Sequence, residues 1–130
     1  MTPADVARRF VDRINAHDVP GIVAMLSEDH EFIDSLGTIF AGRVALDQGW
    51  RAYFAMVPDY SIDLARILED GSTVVLLGSA HGTYAAGGEL RSEFKWTTSA
   101  AFRARIDDGL VAEWQVYADN EPMRRLMTRS

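Results

Sequence analysis

The pattern of hydrophobic and polar positions divides the chain into a helical first half and an extended second half. In the first half, Val6, Phe10 and Ile14 recur at the spacing of one helix face, which predicts an amphipathic helix. From Tyr60 onward, apolar residues alternate with polar ones, and this period of two is typical of β-strands. We therefore expect helices that pack against a sheet.

The first half predicts three helices and one short strand. The first helix begins after Thr2 and the second, shorter helix after Asp18, since both residues are favourable N-caps. A short apolar strand then ends at Asp34. The third helix runs to about Val57, because a proline follows that residue.

The second half predicts four antiparallel strands joined by hairpin turns, followed by a short helix from Glu121 to Met127. The order of elements predicts an α+β domain, with helices on one face of a strongly curved sheet. The clearest strand has one buried side. Its residues on that side are Phe94, Trp96, Thr98, Ala100, Phe102, Ala104 and Ile106.

Composition and charge narrow the classes of function. The chain has 130 residues, a net charge of -6 and no cysteine. Nucleic acid and anionic membranes would repel such a protein, so neither is an expected partner. The amino terminus lacks the apolar run of a signal peptide, and the default expectation is a cytoplasmic protein. His17, His30 and His81 are scattered without the spacing of metal ligands, and no metal or other cofactor is expected.

Asp34 stands out among the acids because it follows two apolar residues, Phe32 and Ile33, and precedes a glycine turn. An acid in this position is either a solvated loop carboxylate or one held at the mouth of a cavity. In an extended segment, His30 and Phe32 share a face with Asp34. His30 is then either a residue at the strand edge or a neighbour that supports Asp34.

The third helix is rich in aromatic residues. Trp50, Tyr53 and Phe54 fall on one broad face of it. Such rings either pack in the core or form the wall of a pocket for a flat apolar ligand. The sequence leaves both interpretations open.

Three stretches of sequence resemble one known superfamily. They are INAHDVPGIVAML at 14–26, DSLG at 34–37 and GLVAEW at 109–114. With the order of elements, they are similar to ketosteroid isomerase, limonene epoxide hydrolase, the SnoaL-like polyketide cyclases and nuclear transport factor 2. The resemblance implies one SnoaL-like, cystatin-like α+β barrel over residues 1–130, with a cone-shaped, curved antiparallel sheet packed on three helices of the N-terminal half. It also implies a homodimer formed through the sheet.

The resemblance to ketosteroid isomerases implies a catalytic base in this chain, but the two oxyanion donors of those enzymes are replaced here by residues that cannot donate. Asp34 matches the carboxylate that moves a proton next to a carbonyl group in those enzymes. Phe10 matches their oxyanion-binding tyrosine but has no donor, and Ala100 and Ala101 stand where they carry a protonated acid. The usual stabilisation of an enolate oxygen is therefore missing, and a standard steroid isomerase is not expected.

The other relatives imply a different partner for Asp34. Ser79, His81 and Val116 match the catalytic triad of the epoxide hydrolases, so that triad is broken. SnoaL-like cyclases are thought to use an aspartate and a histidine, and the resemblance implies Asp34 and His81 as this pair. The alternative for His81, a lone histidine in a strand, is a structural hydrogen bond. Asp119 lies near a SnoaL-like acid but ranks below Asp34.

Three hypotheses follow from these residues. The first is a cofactor-independent isomerase or cyclase that acts on a hydrophobic carbonyl compound, with Asp34 as general base and His81 as the acid or as a residue that orients the reacting groups. The second is a protein that binds a hydrophobic small molecule without turnover, and the third is a homodimeric interaction module. The residues expected to bind the ligand are Phe10, His30, Phe32, Trp50, Tyr53, Phe54, Trp96, Trp114 and Val116.

Overall fold

The computed structural model describes residues 1–129, apart from the side chain of Ala86. The predicted helices and strands are confirmed, and one short strand that the sequence did not predict, β2, is added. The elements are α1 (Pro3–Asn15), α2 (Val19–Ala24), β1 (Leu26–Ile33), β2 (Ile39–Ala41), α3 (Arg43–Met56), β3 (Ser61–Asp70), β4 (Thr73–Thr83), β5 (Lys95–Asp107), β6 (Leu110–Ala118) and α4 (Glu121–Arg129).

The strands form one six-stranded sheet in the order β2-β1-β6-β5-β4-β3. The second half of the chain makes the predicted antiparallel meander from β3 to β6. The sheet as a whole is mixed and not purely antiparallel, because β1 pairs with β6 in the parallel direction. This pairing joins the first strand to the last one, and the α+β class is confirmed.

Local sequence explains how the first helix begins. Thr2 is the N-cap of α1, and its side chain accepts a hydrogen bond from the backbone N–H of Asp5. The carboxylate of Asp5 in turn accepts one from the backbone N–H of Thr2. Both donors would otherwise be unpaired at the helix end. The apolar face of α1 packs into the core, where Phe10 and Ile14 are fully buried.

The sheet bends where β3 and β4 pair. The register between these strands shifts between Leu64 and Arg66, which marks a β-bulge, and a bulge bends the strand that carries it. Gly78 lies opposite Leu64, and a Cβ atom there would come within 1.9 Å of the carbonyl oxygen of Asp63. Only a glycine allows this close approach of the two backbones.

The concave side of the sheet holds the core and the helices. The buried side of β5 is the predicted one, from Phe94 through Ile106. Phe10 and Phe102 both contact the ring of Trp114, with centroid distances of 4.9 and 5.2 Å. No helix within residues 1–129 is long and apolar enough to cross a membrane.

Candidate functional site

A cavity of about 330 Å³ lies between α3 and the concave side of the sheet. Its volume falls at the lower end of the range of small-molecule sites. Small side chains make room for it, since Ala80, Ala100 and Ala118 all line the cavity and Ala100 pairs with Ala118 across β5 and β6. Most of its wall is apolar or aromatic. The lining residues are Phe32, Asp34, Ser35, Phe40, Ala45, Leu46, Gly49, Trp50, Tyr53, Tyr60, Ile62, Ala80, Trp96, Thr98, Ala100, Phe102, Trp114, Val116, Ala118 and Asn120.

Asp34 lies in the wall of this cavity, directly after the end of β1. Its Oδ1 accepts hydrogen bonds from the backbone N–H groups of Leu36 and Thr38, each 2.9 Å long. The Asp34 backbone also bonds to Thr38 and Gly37. The described residues make no hydrogen bond to Oδ2. The turn therefore fixes the carboxylate through one oxygen and leaves the other available to a ligand.

Two tyrosine hydroxyls belong to the same cavity. The rings of Tyr53 on α3 and Tyr60 at the start of β3 meet edge to face, with centroids 5.0 Å apart. Burial raises the pKa of both phenols above the ordinary value, so both stay protonated at neutral pH and can donate a hydrogen bond. Neither hydroxyl is hydrogen-bonded to a described residue, and neither is among the buried polar atoms sealed from a water-sized probe.

Two further donors are sealed inside the wall. Trp50 and Trp96 both line the cavity, yet the indole Nε1 of each is buried and has no hydrogen-bond partner among the described residues. An unpaired buried donor carries a desolvation cost.

The end of α1 holds Tyr60 and the start of β3 in place. The ring nitrogen Nε2 of His17 donates to the carbonyl oxygen of Tyr60 at 2.7 Å, because a carbonyl can only accept. The side chain of Asn15 binds both the N–H and the C=O of Ile62, at 2.8 and 2.9 Å. The His17 ring also stacks on Phe54, with centroids 4.0 Å apart. These contacts fix the backbone that carries Tyr60.

The structure does not bring His81 and Asp34 together. His81 lies on β4 out of phase with Ala80, which faces the cavity, and its Nε2 is 2.9 Å from the Asp63 carboxylate on β3. This pair lies on the outer face of the sheet, since strand neighbours point to opposite faces. Of the two residues expected to be catalytic, Asp34 lines the cavity and His81 does not.

Three expected ligand-binding residues lie outside the cavity lining. Phe10 is fully buried against Trp114, and Phe54 lies behind Trp50, under the ring of His17. His30 is also fully buried, where its Nδ1 donates to the carbonyl of Val111 at 2.7 Å. The remaining six expected residues all line the cavity. They are Phe32, Trp50, Tyr53, Trp96, Trp114 and Val116.

Sequence reasoning missed Tyr60 as a site residue. It was assigned only as the start of a strand, yet it is in phase with Ile62, and both line the cavity. That phase was a usable signal, because residues two apart in a strand share a face. Phe40 was missed as well, and it belongs to the unpredicted strand β2.

Comparison with models of protein families identifies the family of this chain. A model of the SnoaL-like domain matches residues 7–114, which is most of the chain. The chain belongs to the SnoaL-like domain family. The match includes Asp34, Tyr53 and Tyr60. No functionally curated protein matches this SnoaL-like chain.

Solved structures share the fold of this SnoaL-like protein at low identity. A provisionally named SnoaL-like polyketide cyclase from Shewanella putrefaciens CN-32 is 17% identical, with a TM-score of 0.84 over 100% of this chain and 99% of that one. An NTF2-like protein of unknown function from Burkholderia pseudomallei K96243 is 20% identical, with a TM-score of 0.82 over 98% and 99%. A protein with a ketosteroid isomerase-like fold from Catenulispora acidiphila DSM 44928, in complex with trimethylamine, is 13% identical, with a TM-score of 0.78 over 89% and 86%.

Proposed function

We propose that this SnoaL-like protein is a cofactor-independent enzyme that moves a proton on a hydrophobic carbonyl compound, with Asp34 as the general base. The observation that carries the proposal is the fixed Asp34 carboxylate in an otherwise largely apolar cavity. A base with one tethered oxygen and one available oxygen is oriented before the substrate arrives. Such positioning is a main source of catalytic advantage.

The proposed reaction begins with transfer of a proton from the carbon next to the carbonyl group to Oδ2 of Asp34. The electron pair of the broken C–H bond passes to the carbonyl oxygen and forms an enolate. If a C=C bond lies next to the deprotonated carbon, the enolate is conjugated with it. Return of the proton to the far carbon of that bond then shifts the double bond into conjugation with the carbonyl group and completes an isomerisation. In a cyclase, the enolate carbon instead attacks a second carbonyl of the same molecule, whose oxygen then takes the proton.

The test of this proposal is exchange of the acidic C–H protons of 2-tetralone, a bicyclic ketone, for deuterium in heavy water, followed by NMR. The wild-type protein should accelerate exchange above the buffer rate. Asp34→Asn keeps an oxygen that accepts from Leu36 and Thr38 but removes the base. Loss of a general base typically costs about 100-fold to 10,000-fold in rate, so exchange in the variant should fall by at least about 100-fold.

The matched control is Asp63→Asn, because this carboxylate lies on the outer face of the sheet and 70% of its side chain is exposed. It should exchange the ketone at the wild-type rate. Equal exchange rates in wild type and Asp34→Asn would contradict the proposal. Both variants must keep the wild-type thermal midpoint for the comparison to count.

Binding without turnover is the second candidate function, and the position of His81 supports it. The described cavity lining contains one carboxylate and no histidine, so the acid of a cyclase pair must come from another group. In this case the Asp34 carboxylate only orients the polar end of a ligand. Tight binding of 2-tetralone without any catalysed exchange would favour this candidate.

We also propose that the protein forms a homodimer through the outer face of the sheet. Tyr117 on β6 is 51% exposed there, and Leu77 on β4 is 36% exposed. Arg103 on β5 lies beside them and binds both Glu113 and Gln115. Tyrosine and arginine are both enriched at protein interfaces, and this supports the outer face as the dimer interface.

A further inference from the structure

Asp34 and Tyr60 lie at separated places in the cavity wall. Asp34 follows β1, Tyr60 precedes β3, and the strands β6, β5 and β4 lie between β1 and β3. At a spacing of about 4.8 Å per strand, β1 and β3 are roughly 19 Å apart along the sheet. Both residues nevertheless line one cavity, because the curved sheet wraps around it. Asp34 and Tyr60 therefore line the cavity from opposite ends of this run of strands.

The tyrosine side offers hydrogen-bond donors that lack a partner. Tyr60 is 8% exposed, its ring packs between Tyr53 and Trp96, and its hydroxyl is not bonded to any described residue. Burial raises the pKa of each phenol further above neutrality, so both are protonated donors at neutral pH. Neither hydroxyl is sealed from a water-sized probe, so an acceptor atom of a ligand can replace water as its hydrogen-bond partner.

We propose that Tyr60 and Tyr53 together bind the acceptor oxygen of the ligand, and that the ligand is a neutral hydrophobic ring compound with a carbonyl group. The role of this oxygen in a reaction rests on the proposed function. The binding of the oxygen by the tyrosines can be tested without any reaction. In the reaction, the two hydroxyls hold the oxygen on which negative charge develops. They take over the task that Phe10, without a donor, cannot perform.

The chemistry of the wall favours a carbonyl over a charged ligand. No lysine or arginine is among the described residues that line the cavity, so an anionic ligand would meet only the repelling carboxylate of Asp34. An amine is the competing ligand class, since aromatic rings and a carboxylate together attract cations. A cation, however, cannot accept the hydrogen bonds that Tyr53 and Tyr60 offer.

The experiment compares three ligands of one shape by calorimetry. 2-Tetralone has an oxygen that can only accept, tetralin lacks that oxygen, and 2-aminotetralin carries a cationic nitrogen. The wild-type protein should bind 2-tetralone more tightly than tetralin. Tyr60→Phe and Tyr53→Phe remove one hydroxyl each, and each should weaken 2-tetralone binding about threefold to tenfold while tetralin binding stays unchanged.

The control is Tyr84→Phe, because Tyr84 is half-buried against Phe94 and does not line the cavity. It should bind all three ligands as the wild type does. An unchanged preference for 2-tetralone over tetralin in both Tyr60→Phe and Tyr53→Phe would overturn the inference. Tighter binding of 2-aminotetralin than of 2-tetralone, lost in Asp34→Asn, would also overturn it. Proton exchange that needs Asp34 but neither tyrosine would leave the proposed function standing and remove only this inference.

Discussion

The imidazole of His30 is fully buried, and burial lowers its pKa from the ordinary value of 6.5. Because Nδ1 donates to the carbonyl of Val111, the neutral ring leaves Nε2 as an acceptor without a partner. The folded protein resists protonation at this nitrogen. The unfolded chain does not, so it binds the proton more readily.

This difference predicts how stability depends on pH. When the pKa of a histidine is lower in the folded than in the unfolded protein, its contribution to the free energy of unfolding is fully present at pH values above the unfolded pKa of 6.5. The contribution is lost as the pH falls from there to the folded pKa, at about 1.4 kcal/mol per pH unit. His30→Asn keeps a donor for Val111 but cannot titrate. Urea unfolding at pH 7 and pH 5 should therefore show a smaller loss of stability in His30→Asn than in the wild type, and equal losses would contradict this account.

At the residue scale, the sequence predicted the acid of the cavity but not its donors. The apolar strand, the acid and the glycine turn left two positions open for Asp34, a solvated loop or the mouth of a cavity, and the resemblance to ketosteroid isomerases favoured the cavity. The face of His81 was not predictable from β4, because Val74, Val75, Leu76 and Leu77 are all apolar and hide the period of two. The unpaired hydroxyl of Tyr60 depends on the packing of three separate elements, which no local pattern encodes.

At the scale of elements, Gly78 marks the place where β4 adapts to the bulge in β3. A Cβ atom there would clash with the backbone oxygen of Asp63, and a backbone group cannot rotate away as a side chain does. We expect Gly78→Ala to destabilise the protein by roughly 1–3 kcal/mol, as overpacking does, and to disturb the cavity. Chemical denaturation measures the loss.

A second glycine provides the control. Gly49 lies in α3, and a Cβ atom there would meet nothing within 4 Å. Gly49→Ala should stabilise the helix by about 0.5–1 kcal/mol, since alanine is the better helix former. If Gly78→Ala were as stable as the wild type, close contact at the bulge would not be what requires a glycine there.

The elements themselves were largely predictable, whereas their long-range pairing was not. The alternation in β5 and the N-cap residues Thr2 and Asp18 are local signals, and they gave the helices and the meander. The parallel pairing of β1 with β6 joins Leu26 to Val111, which are far apart in sequence. The register of this pairing depends on the whole fold and cannot be predicted from the sequence of either strand alone.

At the scale of the whole molecule, the proposed homodimer places the outer face of the sheet against a second copy. Tyr117→Arg would set a new positive charge beside Arg103 on this face. Like charges that are buried together in an interface are strongly unfavourable. Sedimentation velocity should therefore give twice the chain mass of 14.4 kDa for the wild type and a single chain mass for the variant.

The control for this prediction is Val44→Arg, an equally drastic change at a residue that is 74% exposed on α3. It should remain dimeric. A wild-type protein that sediments as a monomer, or a Tyr117→Arg variant that stays dimeric, would argue against this interface. Ketone binding in Tyr117→Arg should be unchanged, because Tyr117 does not line the cavity.

The alanines of the cavity wall have a consequence for how such a protein changes over evolution. Ala80, Ala100 and Ala118 set the room available on the sheet side, whereas Asp34 and Tyr60 carry the polar groups of the proposed reaction. Under the proposed function, the size of the accepted molecule and the chemistry done on it are thus encoded at separate positions. A single alanine exchanged for valine or leucine would exclude larger rings while leaving the acid and the hydroxyls intact. A lineage with this arrangement can acquire new substrates in small steps, without passing through an inactive ancestor.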